Sequence, residues 1–215
     1  MVSLFFGLGV FGAAIVSLLE SRLGLAPWDV FHQGISKHSP LSLGTATIVV
    51  GLVVLAIAWF LGQPPGFGTV ANAVMIGVFV DLFSSMGWVE RLSGAGPVGR
   101  SGLLLLGVAL FGIASAFYIG AGLGAGPRDS LMLVLARRTG RRIGLVRAFL
   151  EIGALVSGAL LGGAVGIGTV AVALLIGPSV EVSFWLLCHV RIAEPAVAVL
   201  QGAIPNETAG ADDPL

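Results

Sequence analysis

The chain has 215 residues, of which 56% are hydrophobic and only 10% charged, with a mean hydropathy of +1.03. A soluble domain carries about 25% charged residues, so this chain has too few charges to coat a water-exposed globule of its size. Net charge is zero and the basic residues form no long stripe, which excludes nucleic acid as an expected partner. The single cysteine, Cys188, has no internal partner, and no CxxC or His/Cys cluster is present to hold zinc or another cofactor. The composition is that of an integral membrane protein.

The apolar residues fall in runs of 17 to 20, the length that crosses roughly 30 Å of hydrocarbon. The first run begins at Met1 and ends before Glu20. It has no basic n-region or small-x-small cleavage site, so it reads as a retained helix rather than a signal peptide. Five further runs can span, over residues 43–62, 68–86, 102–119, 143–162 and 168–187. A polar link covers 87–101, and short Gly/Pro turns cover 63–67 and 163–167. Residues 189–203 suggest an amphipathic surface helix, and from about Ile204 the chain reads as a solvated, disordered tail.

Shifting the chain by 100 residues without gaps aligns 1–86 with 101–186 and makes 22 positions identical. Leu23–Asp29 (LGLAPWD) matches Leu123–Asp129 (LGAGPRD), and Gly66–Gly77 (GFGTVANAVMIG) matches Gly166–Gly177 (GIGTVAVALLIG). The expected architecture is therefore an all-α polytopic membrane protein of two tandem repeats, 1–86 and 102–187, with 188–215 outside them. Each repeat has three full spans plus one short broken or re-entrant helix, within 20–42 and 120–142. After Pro27 or Pro127 a helix of about 11 residues is plausible, roughly 16 Å long and half a membrane. The stretch before each proline reads as extended or turning, a conformation tolerated at membrane depth only inside protein or beside a wet cavity.

If the short helices re-enter, each repeat crosses three times and the repeats are inverted. Arg22, Lys37, Arg91 and Arg100 then face seven arginines, at 128, 137, 138, 141, 142, 147 and 191. If they cross, only Arg22 and Arg128 oppose the other nine basic residues. The sharper asymmetry favours eight crossings, with both termini cytoplasmic.

The two P-x-D turns are the leading site candidates. An acid in the first turn of a helix complements the helix dipole, which would make Asp29 and Asp129 ordinary start signals. Acids at broken helices inside a membrane are also where transporters hold substrates and coupling ions. Trp28 offers a stacking face, and Arg128 offers an ion-pair or anion contact. Thr69 and Thr169 are expected as N-caps of the third full helix, either closing a tight hairpin or framing an anion site with Asn72. Asp81, Glu181 and Glu151 lie in apolar spans and are candidates for ion coupling. For Glu151 a local pair with Arg147, four residues earlier, is the plainer account. His32 and His38 are expected near the surface, and the glycines, including the Gly158–Gly162 pair, are expected at helix contacts. No catalytic nucleophile–base pair or Walker motif is present, so no enzyme activity and no self-contained ATP pump are expected.

L-G-L-A-P-W-D followed by Leu43-Gly44, and G-F-G-T-V-A-N with Gly77 and Asp81, resemble the bacterial YczE/YyaS/YitT-type integral membrane proteins. The resemblance covers about residues 5–185, and P-W-D with G-T-x-x-N is its most specific part. The second half departs from it, with Arg128 for Trp and Val172 for Asn. It implies a multi-pass plasma-membrane protein of bacteria. Three functions fit these observations: a small-solute transporter or permease, a substrate-capture subunit of an ATP-driven system, or a non-transporting scaffold. The expected partners are the lipid bilayer, a small solute and a second copy of the chain.

Overall fold

A computed structural model describes residues 1–87 and 96–189. Among these residues the chain forms eight α-helices and no strands. They are α1 Val2–Ser21, α2 Pro27–Lys37, α3 Leu43–Phe60, α4 Phe67–Met86, α5 Gly96–Gly120, α6 Pro127–Thr139, α7 Ile143–Leu160 and α8 Ile167–His189. All but α2 and α6 are long and apolar enough to cross a membrane, which gives six candidate spans. The surface helix and tail expected beyond residue 189 lie outside the described residues. The polar link is shorter than its composition suggests, because α5 already starts at Gly96. Pro97 stands in the first turn of α5, where its missing N–H costs no hydrogen bond.

The centre of the bundle is the pairing of α1 with α5. Both bury more than half of their span, 56%, whereas α7 and α8 bury only 17% and 22% and so turn most of their surface outward. A Cβ at Gly7 would meet the Tyr118 backbone at 2.9 Å, and one at Gly107 would meet Leu18 at 2.8 Å. Early residues of α1 therefore lie beside late residues of α5, and the two helices are antiparallel. This corrects the eight-crossing expectation. Four crossings per half would start α1 and α5 on the same side and make them parallel, whereas three make them antiparallel. The arginine count misled because α2 and α6 move their flanking charges without crossing.

The outer helices repeat one pattern around this pair. Next to α1 lies α4, with Gly12 against Phe79, and next to α5 lies α8, with Gly112 against Ser179. Gly44 and Gly77 bring α3 and α4 into backbone contact, since a Cβ at either would sit about 2 Å from the other's carbonyl oxygen. Gly34 and Gly158 do the same for α2 and α7. Of the Gly158–Gly162 pair, only Gly158 serves packing. Gly162 has open space around it and a φ of +71°, so it is there for the turn.

The short helices are set by their entrances. Pro27 and Pro127 occupy the first turn, where their missing N–H costs nothing. Ahead of them the backbone is extended and held by exchanged bonds: Gly168 N–H donates to Leu23 O at 2.8 Å, and Gly68 N–H donates to Leu123 O at 2.9 Å. Gly24 and Gly124 adopt φ of +130° and +123°, values that L side chains rarely reach, against Thr169 and Thr69. Each threonine hydroxyl accepts from the N–H of Gly166 or Gly66. Thr69 and Thr169 are therefore not the N-caps expected. Gly66 caps α4, and Thr69 stands at the third helical position and reaches back to it. Each is almost fully buried beneath an extended segment.

Candidate functional site

The N-terminal ends of α2 and α6 face the same interior space. Between them lies a chamber of about 420 Å³, lined by both short helices together with α1, α4, α5, α7 and α8. Of the expected site residues, Trp28, Asn72, Arg128, Asp129 and Glu151 all reach it. Gly126, the N-cap of α6, lies in a crowded part of the wall. A Cβ there would stand 2.9 Å from the Tyr118 hydroxyl, 3.2 Å from Asp129 Oδ2 and 3.5 Å from Asn72 Oδ1. Three polar groups from α4, α5 and α6 thus converge on one glycine. Apolar walls come from Phe11 and Phe111, whose rings pack 4.2 Å apart. The Arg128 guanidinium lies 6.0 Å from the centre of the Phe11 ring, within cation–π range.

The charges around the chamber are balanced. Arg128 and Asp129 sit side by side in the first turn of α6, and Arg147 pairs with Glu151 at 3.0 Å along α7. The Arg147–Glu151 bridge is the plain local pair expected, and it closes one wall while remaining partly exposed.

A smaller space of about 50 Å³ adjoins the chamber, sharing Phe11, Trp28, Asn72 and Arg128 with it. Asp29 faces this side space with His32 and Thr47. Asp29 is 4% exposed and His32 8%, so His32 is buried rather than near the surface. The signal was present in the sequence: Asp29 and His32 are three residues apart and share a helix face. Tyr118 and Thr47 belong to no repeated motif, and Phe111 repeats Phe11 with nothing in the sequence to show which way it faces. Only the packing of α5 and α3 brings them here.

The remaining candidates lie elsewhere. Asp81 Oδ1 accepts from Gly44 N–H at 2.9 Å, and its Oδ2 accepts from the Ser42 and Thr45 hydroxyls at 2.5 and 3.4 Å. Its surroundings are those of a cap for the start of α3, away from both cavities. Glu181 is exposed on α8 and lines neither cavity. Its half lacks the capping partners, because Arg142 and Leu145 stand where Ser42 and Thr45 do. Of the basic cluster on α6, Arg137 bonds to the Gln63 side chain and Arg138 Nε donates to Leu61 O at 3.0 Å, tying α6 to the turn between α3 and α4. Among the described residues no group of three or more His, Cys, Asp or Glu stands where it could hold a metal ion.

The model of a family of unknown function, DUF6198, matches residues 1–184. The chain belongs to this family. As a DUF6198 member it is similar to the uncharacterized membrane protein YczE of Bacillus subtilis (strain 168), with 35% identity over 80% of each chain. It is also similar to an uncharacterized protein of Haemophilus influenzae, at 33% identity over 83% of this chain and 80% of the other. YyaS of Bacillus subtilis is 25% identical over 79% of this chain and 85% of its own. No solved structure matches significantly. The DUF6198 match spans all eight helices up to the last turns of α8, so both cavities fall within the family region.

Proposed function

We propose that the protein is a secondary transporter or permease for a small solute, which binds in the chamber between the ends of α2 and α6. One observation carries this reading: two half-length helices, 100 residues apart, direct their N-termini into one polar-lined space at the centre of a six-span bundle. Discontinuous helices around a central site are how transporters present uncapped helix ends to a substrate. The antiparallel α1–α5 pair and the exchanged bonds at Leu23 and Leu123 support two tandem, inverted repeats. Inverted repeats allow one half to rock against the other around a fixed site.

The lining suggests the solute's chemistry. Arg128 and Arg147 balance Asp129 and Glu151, so a strongly charged ion would find no net attraction. A zwitterionic or neutral polar molecule would meet an acid, a base, an amide and an aromatic wall together. The two Arg137 and Arg138 bonds weaken the alternative of a capture subunit docked through this cluster, since both side chains are engaged within the chain. Counting basic residues by six crossings places seven on the side of both termini against four opposite. This supports cytoplasmic termini in a bacterial plasma membrane.

The test is counterflow into proteoliposomes, using a panel of labelled amino acids and small polar neutral solutes. Arg128→Gln and Asp129→Asn are each expected to lower uptake of the accepted solute at least tenfold while leaving the elution profile unchanged. Full uptake in both variants would remove the chamber as the binding site.

A further inference from the structure

Asp29 and His32 carry an arrangement that solute binding in the chamber does not use. Asp29 Oδ1 stands 3.5 Å from His32 Nδ1, and Asp29 Oδ2 is buried without a hydrogen-bond partner. His32 Nδ1 also lies 3.3 Å from Thr47 Oγ1. The Thr47 hydroxyl also reaches Leu43 O at 2.9 Å, the shorter contact, and when it donates there it accepts from the histidine. The Asp29 carboxylate can only accept, so it favours the tautomer with the ring's hydrogen on Nδ1. The lone pair is then on Nε2, which bonds to no described residue. We infer that Asp29, His32 and Thr47 form a proton-binding site opening on the small space beside the chamber. The proton adds to the Nε2 lone pair, and the resulting imidazolium keeps its Nδ1–H toward the Asp29 carboxylate.

The surroundings fix the sign of each influence. Among the residues lining the side space, Arg128 from α6 is the one other charged group. The lining from α1 and α4 is Phe11, Ile15, Asn72, Ala73 and Ile76, none of which titrates, and α3 offers only the Thr47 hydroxyl among apolar neighbours. Asp129, Arg147 and Glu151 line the larger chamber instead. Proton binding is thus favoured by Asp29 and opposed by Arg128, and Arg128 stands at the junction of the two spaces. Loading the proton and engaging Arg128 with a solute would therefore favour each other. The site has no twin in the other half, where Met132 and Arg147 occupy the positions of His32 and Thr47. The coupling between proton and solute rests on the transporter reading, but the proton site itself does not.

The experiment is a nitrogen NMR titration of the full chain in lipid nanodiscs with no solute added. Of the three histidines, His38 and His189 are replaced by Gln so that the only ring observed is His32. At high pH the ring should show a protonated Nδ1 and a bare Nε2, and on acidification Nε2 should take up one proton. Asp29→Asn should weaken that uptake severalfold, and Arg128→Gln should strengthen it. A ring that stays in one state between about pH 4 and pH 9 would overturn the inference. So would a bare Nδ1 at high pH, or a midpoint unmoved by Asp29→Asn. Should Asp29→Asn fail to fold, Arg128→Gln tests the same charge balance with the opposite sign. Because no transport is measured, a positive titration with no flux would leave the proton site standing and remove the transporter reading.

Discussion

Asp81→Ala separates two roles that a carboxylate inside an apolar helix can have. Its oxygens take up the Gly44 N–H and the Ser42 and Thr45 hydroxyls, all at the first turn of α3. Ser42 itself accepts from Thr45 N–H at 3.0 Å, so part of the cap survives the substitution. What is lost is one charge-assisted bond to a backbone N–H and two to hydroxyls, at a partly exposed position. A lost cap costs about 1 kcal/mol, and hydrogen bonds to a charged group contribute roughly 1.5–3 kcal/mol. Partial exposure keeps the sum near the lower end, about 2–4 kcal/mol. For a chain of this length that lowers Tm by roughly 5–15 °C. The assay is thermal unfolding in detergent followed by circular dichroism, with Asp81→Asn as an intermediate case that keeps one acceptor. A Tm within about 2 °C of the parent would refute the capping account and return Asp81 to the candidates for coupling.

Other substitutions check the packing and the crossing count. Gly158→Val should prevent folding or lower Tm by more than 10 °C, roughly 3 kcal/mol or more of overpacking. The reason is that its Cβ would stand 2.5 Å from Phe31 N, whereas Gly153→Ala meets nothing within 4 Å and should be neutral; equal melting points would contradict the α2–α7 contact. Arg22→Gly should stabilise by roughly 0.5–1 kcal/mol, because exposed Arg22 ends α1 at a φ of +56° where the second half uses Gly122 at +63°; a lower Tm would show that the side chain has a partner. With Cys188 replaced by Ser, membrane-impermeant thiol labelling at Pro64→Cys and Val165→Cys should mark opposite faces of the membrane. Labelling of both from one side would contradict three crossings per half.

Much of the backbone plan was legible because it depends on residues with few conformational alternatives. Pro27 and Pro127 mark where the short helices begin, and the apolar run lengths mark the six long ones. The helix direction was not legible, since it depends on whether an 11-residue helix crosses or returns, and charge counts weigh that choice only indirectly. Packing of Gly7 on Tyr118 and Gly107 on Leu18 settles it. At the site, Trp28, Asn72, Arg128 and Asp129 were identifiable because they stand in or beside motifs at helix starts. Tyr118 and Thr47 were not, because they stand in the last turn of α5 and the second turn of α3, outside the P-x-D and G-x-G-T motifs, and each matters only through the helix beside it. The surroundings of Asp81 were not legible for a related reason: a carboxylate in an apolar run looks the same in sequence whether it faces a cavity or the start of a neighbouring helix.

The positions that build the backbone agree between the halves, whereas those that face the cavities agree only in part. Gly24 and Gly124, Pro27 and Pro127, and Thr69 and Thr169 all serve the extended segment and the short helix, which both halves must build. Facing the cavities, Phe11 and Asp29 are kept as Phe111 and Asp129, but other positions diverge: Trp28 against Arg128, His32 against Met132, Thr47 against Arg147, Gly51 against Glu151, Asn72 against Val172. A chamber lying between two such halves receives each position twice, and one copy can change without disturbing the backbone that presents the other. Duplication of the scaffold therefore leaves room for an aromatic wall and a histidine–aspartate pair on one side and an arginine on the other. Chamber chemistry should accordingly be more sensitive to exchanging residues between halves than the fold is. Trp28→Arg with Arg128→Trp should still fold, at a melting point lowered by the loss of Trp28 from its buried cluster with Val50, Val54 and Leu131, while changing which solute is accepted; a loss of folding would show that the two short helices are not interchangeable supports.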